Sequence, residues 1–124
     1  MGNKKICVTA QANSLASEVD PRFGRCQYFI IVDIDSGEFE AVKNPNQDTV
    51  GGAGIQSGQL IADKKVDAVL TGNVGPNAFE TLRAAGVMLI TGVSGTVLEV
   101  CQKYKRGDYS LTDGPSVGSK FGVS

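Results

Sequence analysis

The sequence predicts an α/β fold in three layers: a five-stranded mixed sheet in the order 3-2-1-4-5, with strand 2 antiparallel and helices on both faces. Three observations point there. The first part of the chain carries strand-like runs joined through a Gly-containing turn, which reads as a hairpin. The second part alternates short continuous apolar runs with segments of helical spacing, the pattern of parallel strands covered on both sides. Right-handed crossovers from the hairpin onward then permit the stated order.

Lys4-Lys5-Ile6-Cys7-Val8-Thr9-Ala10 reads as the first strand, with Ile6 and Val8 on one face and Cys7 and Thr9 on the other. From Gln11 to Arg25 the chain is polar, contains Pro21 and Gly24 and shows no sustained period, so a long loop is expected, and loops of that length in compact domains are usually functional. Tyr28-Phe29-Ile30-Ile31-Val32 is the second strand. The Asp35-Ser36-Gly37 turn leads into a more polar third strand at the sheet edge, Glu38-Phe39-Glu40-Ala41-Val42-Lys43. Beyond Asn44-Pro45 a helix is expected, with Ile55, Gly58, Ile61 and Ala62 facing the core and an end near Lys65. Ala68-Val69-Leu70 and Val87-Met88-Leu89-Ile90 are the remaining strands. Between them Ala78, Leu82 and Ala85 form the apolar stripe of a second helix, with Pro76 at its first turn and Gly86 past its end. Thr96 and Glu99 fit a capping box. Val97, Val100, Cys101 and Tyr104 share a face of the last helix, and Lys103, Lys105 and Arg106 suit its negative end before Gly107. Residues 1–107 are thus expected to form a single domain, followed by a Gly/Ser-rich tail over 108–124.

Composition excludes several classes. The 124 residues suffice for one core, and 12 Lys+Arg against 13 Asp+Glu leave a net charge of -1, which argues against a nucleic-acid or anionic-membrane partner. No apolar run has the length of a membrane helix, and a cytoplasmic location is expected. Cys7, Cys26 and Cys101 are odd in number and widely spaced, so reduced thiols are expected rather than a disulfide framework or a CxxC metal motif. The chain has no histidine, which removes the usual general base and every Ser-His or Cys-His pairing. A non-enzymatic role is expected.

The expected topology sends the carboxyl ends of strands one, three, four and five to one edge, where open α/β sheets bind ligands. The segments leaving that edge are the Gln11 to Cys26 loop, Asn44 through Gly51-Gly52-Ala53-Gly54, Thr71-Gly72-Asn73-Val74-Gly75-Pro76-Asn77, and Thr91-Gly92-Val93-Ser94-Gly95-Thr96. Three of them open directly into helices, whose starts carry unpaired N–H groups and partial positive charge, so an anionic ligand is expected. The first loop adds the Arg22 and Arg25 guanidinium groups, with Phe23 and Gly24 between them, and Cys26 as a candidate metal ligand. The expected ligand surface is therefore Arg22, Phe23, Gly24, Arg25, Cys26, Gly51, Gly52, Gly54, Gly72, Asn73, Gly75 and Asn77. Asp20, Asp33 and Asp35 read as turn and surface groups.

Three familiar motifs fail. Gly52-Ala53-Gly54-Ile55-Gln56-Ser57 is one residue short of GxGxxG and lies beyond a polar loop, and no Gly-Lys-Ser/Thr occurs for a P-loop. The topology is that of the ribonuclease H-like architecture, but metal-dependent nucleases of that type need acidic residues on the first strand, and Lys4 to Ala10 has none.

From Lys4 to Gly107 the chain resembles the dinitrogenase iron-molybdenum cofactor biosynthesis family. The resemblance rests on Asp20-Pro21-Arg22-Phe23-Gly24-Arg25-Cys26, on Gly51-Gly52-Ala53-Gly54, on the segment from Asp67 to Ala78 containing Thr71-Gly72-Asn73-Val74-Gly75-Pro76-Asn77, and on Ala85-Gly86-Val87. It implies a ribonuclease H-like sheet and a carrier role for a metal–sulfur cluster or its precursor, with cofactor-assembly proteins as partners. Some relatives carry iron–sulfur precursors, and orange-protein relatives hold a mixed molybdenum–copper sulfide cluster; both cargoes are anionic. The sequence departs from carriers with histidine ligands, since it offers only Cys26 near the edge. Two other functions fit the same residues: a regulatory or scaffold module for a small oxyanionic metabolite, and an enzyme with Cys26 as nucleophile activated by Arg22, Arg25 and helix dipoles.

Overall fold

A computed structural model describes residues 5–46 and 52–109. Those residues form β1 (Lys5–Ala10), β2 (Tyr28–Asp33), β3 (Phe39–Lys43), α1 (Ala53–Asp63), β4 (Ala68–Leu70), α2 (Pro76–Ala84), β5 (Met88–Ile90) and α3 (Val97–Arg106). The strands make one sheet in the order β3-β2-β1-β4-β5. β2 runs against both neighbours, pairing Cys7 with Ile31 and Ile31 with Glu40, whereas β1, β4 and β5 are parallel, with Cys7 opposite Val69 and Val69 opposite Leu89. The expected α/β topology is the observed one.

The two-residue period of the strands divides the core into two layers. Cys7, Phe29, Ile31, Val69 and Leu89 point to one face, where Ile61 of α1 and Ala78, Phe79 and Leu82 of α2 cover them. Ile6, Val8, Ile30, Val32, Ala68, Leu70 and Ile90 point to the other, where Val97, Val100 and Cys101 of α3 pack. β4 and β5 are therefore buried on both sides, which is why they are written in uninterrupted apolar residues. β3, at the edge, is largely exposed.

Local chemistry accounts for the element ends. Gly37 closes the β2–β3 connection with φ 79, Pro76 starts α2, and Gly107 ends α3 at φ 77. Thr96 and Glu99 form the expected capping box: Thr96 Oγ1 accepts from Glu99 N–H at 3.2 Å and Glu99 Oε1 from Thr96 N–H at 2.9 Å, bonds that hold the Glu99 carboxyl below its ordinary range.

Two helix stripes differ from expectation. Ile55 was expected on the buried face of α1, yet it is 38% exposed, and the buried residues are Ala53, Ser57, Gly58 and Ile61. The face is chosen by close helix approach: a Cβ at Gly58 would stand 2.9 Å from Thr81 Cγ2 on α2, so the glycine side turns inward and Ile55 turns out. In α2, Ala85 lies just beyond the helix as its C-cap and is exposed, and Phe79 takes the buried position instead. Gly51 and residues 110–124 of the expected tail lie outside the described residues.

Candidate functional site

The loop between β1 and β2 is far from loose. Its Asp20 N–H donates to Thr9 O at 2.9 Å, and the Thr9 hydroxyl donates to Asp20 O at 2.7 Å while taking the Thr71 hydroxyl proton at 2.7 Å, which ties the loop to both central strands. Asn73 N–H donates to Pro21 O at 2.7 Å and Phe23 N–H to Asn73 O at 3.3 Å. Phe23 is buried against Phe29, ring centroids 5.5 Å apart, and anchors the turn with about 2 kcal/mol of burial. A Cβ at Gly72 would lie 2.7 Å from Pro21 Cα, so this glycine serves the contact between two loops.

On the other side of the turn, Gly24 O accepts from Asn44 Nδ2 at 3.1 Å and from Ser57 Oγ at 3.2 Å, and Asn44 Nδ2 also donates to Cys26 O at 2.9 Å. Asn44 and Ser57 are buried and join the turn to the segment after β3 and to α1. Sequence reasoning missed both. The Asn44-Pro45 pair was the available signal for Asn44, since an Asn side chain before proline commonly bonds local backbone; Ser57 in mid-helix gave none.

The turn thereby lies across the starts of α1 and α2. A Cβ at Gly24 would stand 3.2 Å from Gly54 N, and a Cβ at Gly54 would stand 3.5 Å from Ala78 N. Both helices are capped by glycine, Gly52 at φ 72 and Gly75, neither of which brings a side chain to the first-turn N–H groups. Glycine at 24 and 54 thus serves the close packing of the turn on α1 and of the α1 start on the α2 start. Asn77, in the first turn of α2, is exposed, and its carbonyl accepts the Thr81 hydroxyl at 2.9 Å.

The third helix start is different. Val97 N–H donates to Ser17 O and Leu98 N–H to Leu15 O, both at 2.9 Å, and the capping box takes the next group. The β1–β2 loop closes α3 with its own carbonyls, so α3 is struck from the three helix ends expected to be open.

Of the expected side chains, Arg22 is 63% exposed, and its Nε lies 3.5 Å from Asp20 Oδ1. Arg25 is half-buried and engaged with other groups of the protein. Asp20, expected at the surface, is buried: its side chain is 3% exposed and accepts Arg22 N–H at 3.0 Å. Cys26, the expected metal ligand, sits beneath the turn with no exposed surface, in the cluster containing Phe23, Phe29 and Cys7. Burial, then the charges of Cys7 and Asp20, push its thiol far above the ordinary range. Cys26 goes inward on the face that Phe29 and Ile31 of β2 turn toward α1 and α2. Among the described residues no group of three or more His, Cys, Asp or Glu could hold a metal ion.

The sheet order and the helices on both faces define a three-layer, ribonuclease H-like α/β domain. Residues 4–107 match the family described as dinitrogenase iron-molybdenum cofactor, and the chain belongs to it. Among solved structures it is similar to the apo form of the orange protein from Desulfovibrio gigas, with 37% identity, a TM-score of 0.89, and 92% of this chain and 97% of that one covered. It is also similar to a NifB-like protein from Thermotoga, at 36% identity and TM-score 0.77, covering 91% and 98%. An uncharacterised protein of Methanocaldococcus jannaschii is 30% identical over 106 residues, 83% of this chain and 86% of that relative. No helix among the described residues is long and apolar enough to cross a membrane.

Proposed function

We propose that the protein is a non-enzymatic carrier that takes up an anionic metal–sulfur cluster, or a precursor of one, at the edge formed by the α1 and α2 starts. The observation that carries this reading is the pair Gly24 and Gly54, which lets the turn bearing Arg22 and Arg25 pack closely on the starts of α1 and α2 with no side chain between them. Helix-start and guanidinium N–H groups match a polyatomic anion bearing several sulfide or oxo acceptors, because each N–H can meet a separate acceptor and the helix dipoles favour negative charge. Family membership and the similarity to an orange protein support metal–sulfur cargo over other anions.

In this reading Cys26 packs and does not ligate, since its side chain lies beneath the turn with no surface open to a cargo. The cargo is held without a covalent bond, which suits a protein that must release it. Gly52, Gly54, Gly75 and Asn77 supply or border the donors. Gly24, Phe23, Gly72 and Asn73 hold the turn in place.

Anaerobic titration with tetrathiomolybdate, with inorganic phosphate in parallel, tests the proposal. Uptake should shift the charge-transfer absorbance and raise the denaturation midpoint, by about 2.7 kcal/mol of stability at a ligand excess of roughly 100 Kd. Arg22→Ala combined with Arg25→Ala should abolish both effects. Absence of uptake by the wild type overturns the proposal, and stabilisation by phosphate equal to that by thiomolybdate favours a module for oxyanionic metabolites.

A further inference from the structure

We infer that Asp20 is the built-in counter-ion of this site: its carboxylate neutralises and holds Arg22 when no cargo is present, and thereby keeps the grip on an anion weak enough to be reversed. The inference rests on the anion-carrier reading and deepens it.

A buried carboxylate beside an anion site requires an explanation, because its charge opposes the ligand. Asp20 has no freedom to withdraw. Its own N–H and C=O are both bonded to Thr9, at 2.9 and 2.7 Å, and Thr9 is bonded through its hydroxyl to Thr71, the residue that follows β4. The next residue, Pro21, is fixed by Asn73 N–H and by the close approach of Gly72. The carboxylate is therefore mounted on two central strands, with its side chain 3% exposed, while its partner Arg22 is 63% exposed.

Among the described residues one carboxylate oxygen is engaged: Oδ1 takes Arg22 N–H at 3.0 Å and faces Nε at 3.5 Å. The Nε edge of the guanidinium is thus turned to Asp20, which leaves its Nη groups for a ligand. An anion arriving there meets an Arg22–Asp20 pair of almost no net charge, and its attraction is reduced in proportion to its own charge. When the cargo leaves, the fixed carboxylate is in place to hold Arg22 again. Asp20 is in these terms a positioning and affinity-setting residue.

Asp20→Asn removes the charge and retains an oxygen for the Arg22 N–H. It should tighten tetrathiomolybdate binding by about tenfold or more and slow release correspondingly. Tetrathiorhenate, of similar shape with one charge fewer, should gain less. In an Arg22→Ala background the gain should disappear. A merely structural role for Asp20 would give the opposite sign, weaker binding. Should the Asn variant fail to fold, Asp20→Ser also offers an acceptor to the N–H two residues on and carries the same expectation. Wild type that binds thiomolybdate, with Asn and Ser variants that bind it equally or more weakly, overturns this inference alone, as does a gain undiminished by Arg22→Ala. Wild type that takes up no thiomolybdate overturns the carrier reading, and this inference with it.

Discussion

Cysteine burial governs the chemistry available to single residues. Cys7, Cys26 and Cys101 are all buried, and desolvation raises all three thiols, Cys101 to about 11. Native protein at neutral pH should therefore incorporate iodoacetamide at Cys26 orders of magnitude more slowly than unfolded protein, as mass spectrometry of quenched samples will show; labelling of the native protein as fast as of the denatured would restore the nucleophile reading. Stability should follow the same groups. An unfolded thiol ionises near the ordinary value of 9.0, whereas the folded ones stay protonated to higher pH. Above about pH 9 the unfolded chain binds fewer protons than the folded one, so the contribution, complete below that value, is lost as pH climbs through the folded values. Urea midpoints should fall between about pH 8 and about pH 11, and a flat profile would contradict the burial.

At the scale of elements, the site depends on how closely α1 and α2 approach. Gly58 lies against Thr81, with 2.9 Å to a Cβ built there, so Gly58→Val should force the helices apart, cost roughly 1–3 kcal/mol in a denaturation experiment, and weaken thiomolybdate binding by displacing Gly54 from Ala78. α3 offers the contrasting case. Its first N–H groups are spent on Ser17 and Leu15 carbonyls and on the Thr96 cap. Thr96→Ala should accordingly lower stability by about 1 kcal/mol and leave the affinity for thiomolybdate unchanged; a parallel loss of affinity would mean that the third helix start takes part.

For the molecule as a whole, the net charge of -1 means that no global field draws an anion in, so the proposed carrier role requires local attraction from the helix starts and the arginines. Local attraction at an exposed guanidinium is screened by salt, while contacts to main-chain N–H groups are less so. Calorimetric titration should therefore show tetrathiomolybdate affinity falling several-fold from about 0.05 M to about 0.5 M salt without vanishing. Complete insensitivity would remove Arg22 from the ligand surface, and complete loss would remove the helix starts. Topology makes the combination possible: β1, β4 and the chain leaving β3 all end at the same edge, with β2 alone reversed.

The division between what could be read and what could not follows the range of the forces. Strand order, the capping box, Pro76 at a helix start and the glycine turns come from short-range sterics and hydrophobic period, so the residues themselves determined them. The convergence of Arg22 with the Gly72 to Asn77 loop was also legible, because parallel strands must end together. Packing decided the rest. The inward turn of Cys26, the outward turn of Ile55, the burial of Asp20 and the closing of α3 by the Leu15 and Ser17 carbonyls each depend on a neighbour distant in sequence. No local pattern encodes which of several polar loop residues will meet a partner in three dimensions, and that meeting is what leaves the α3 start satisfied by its own chain.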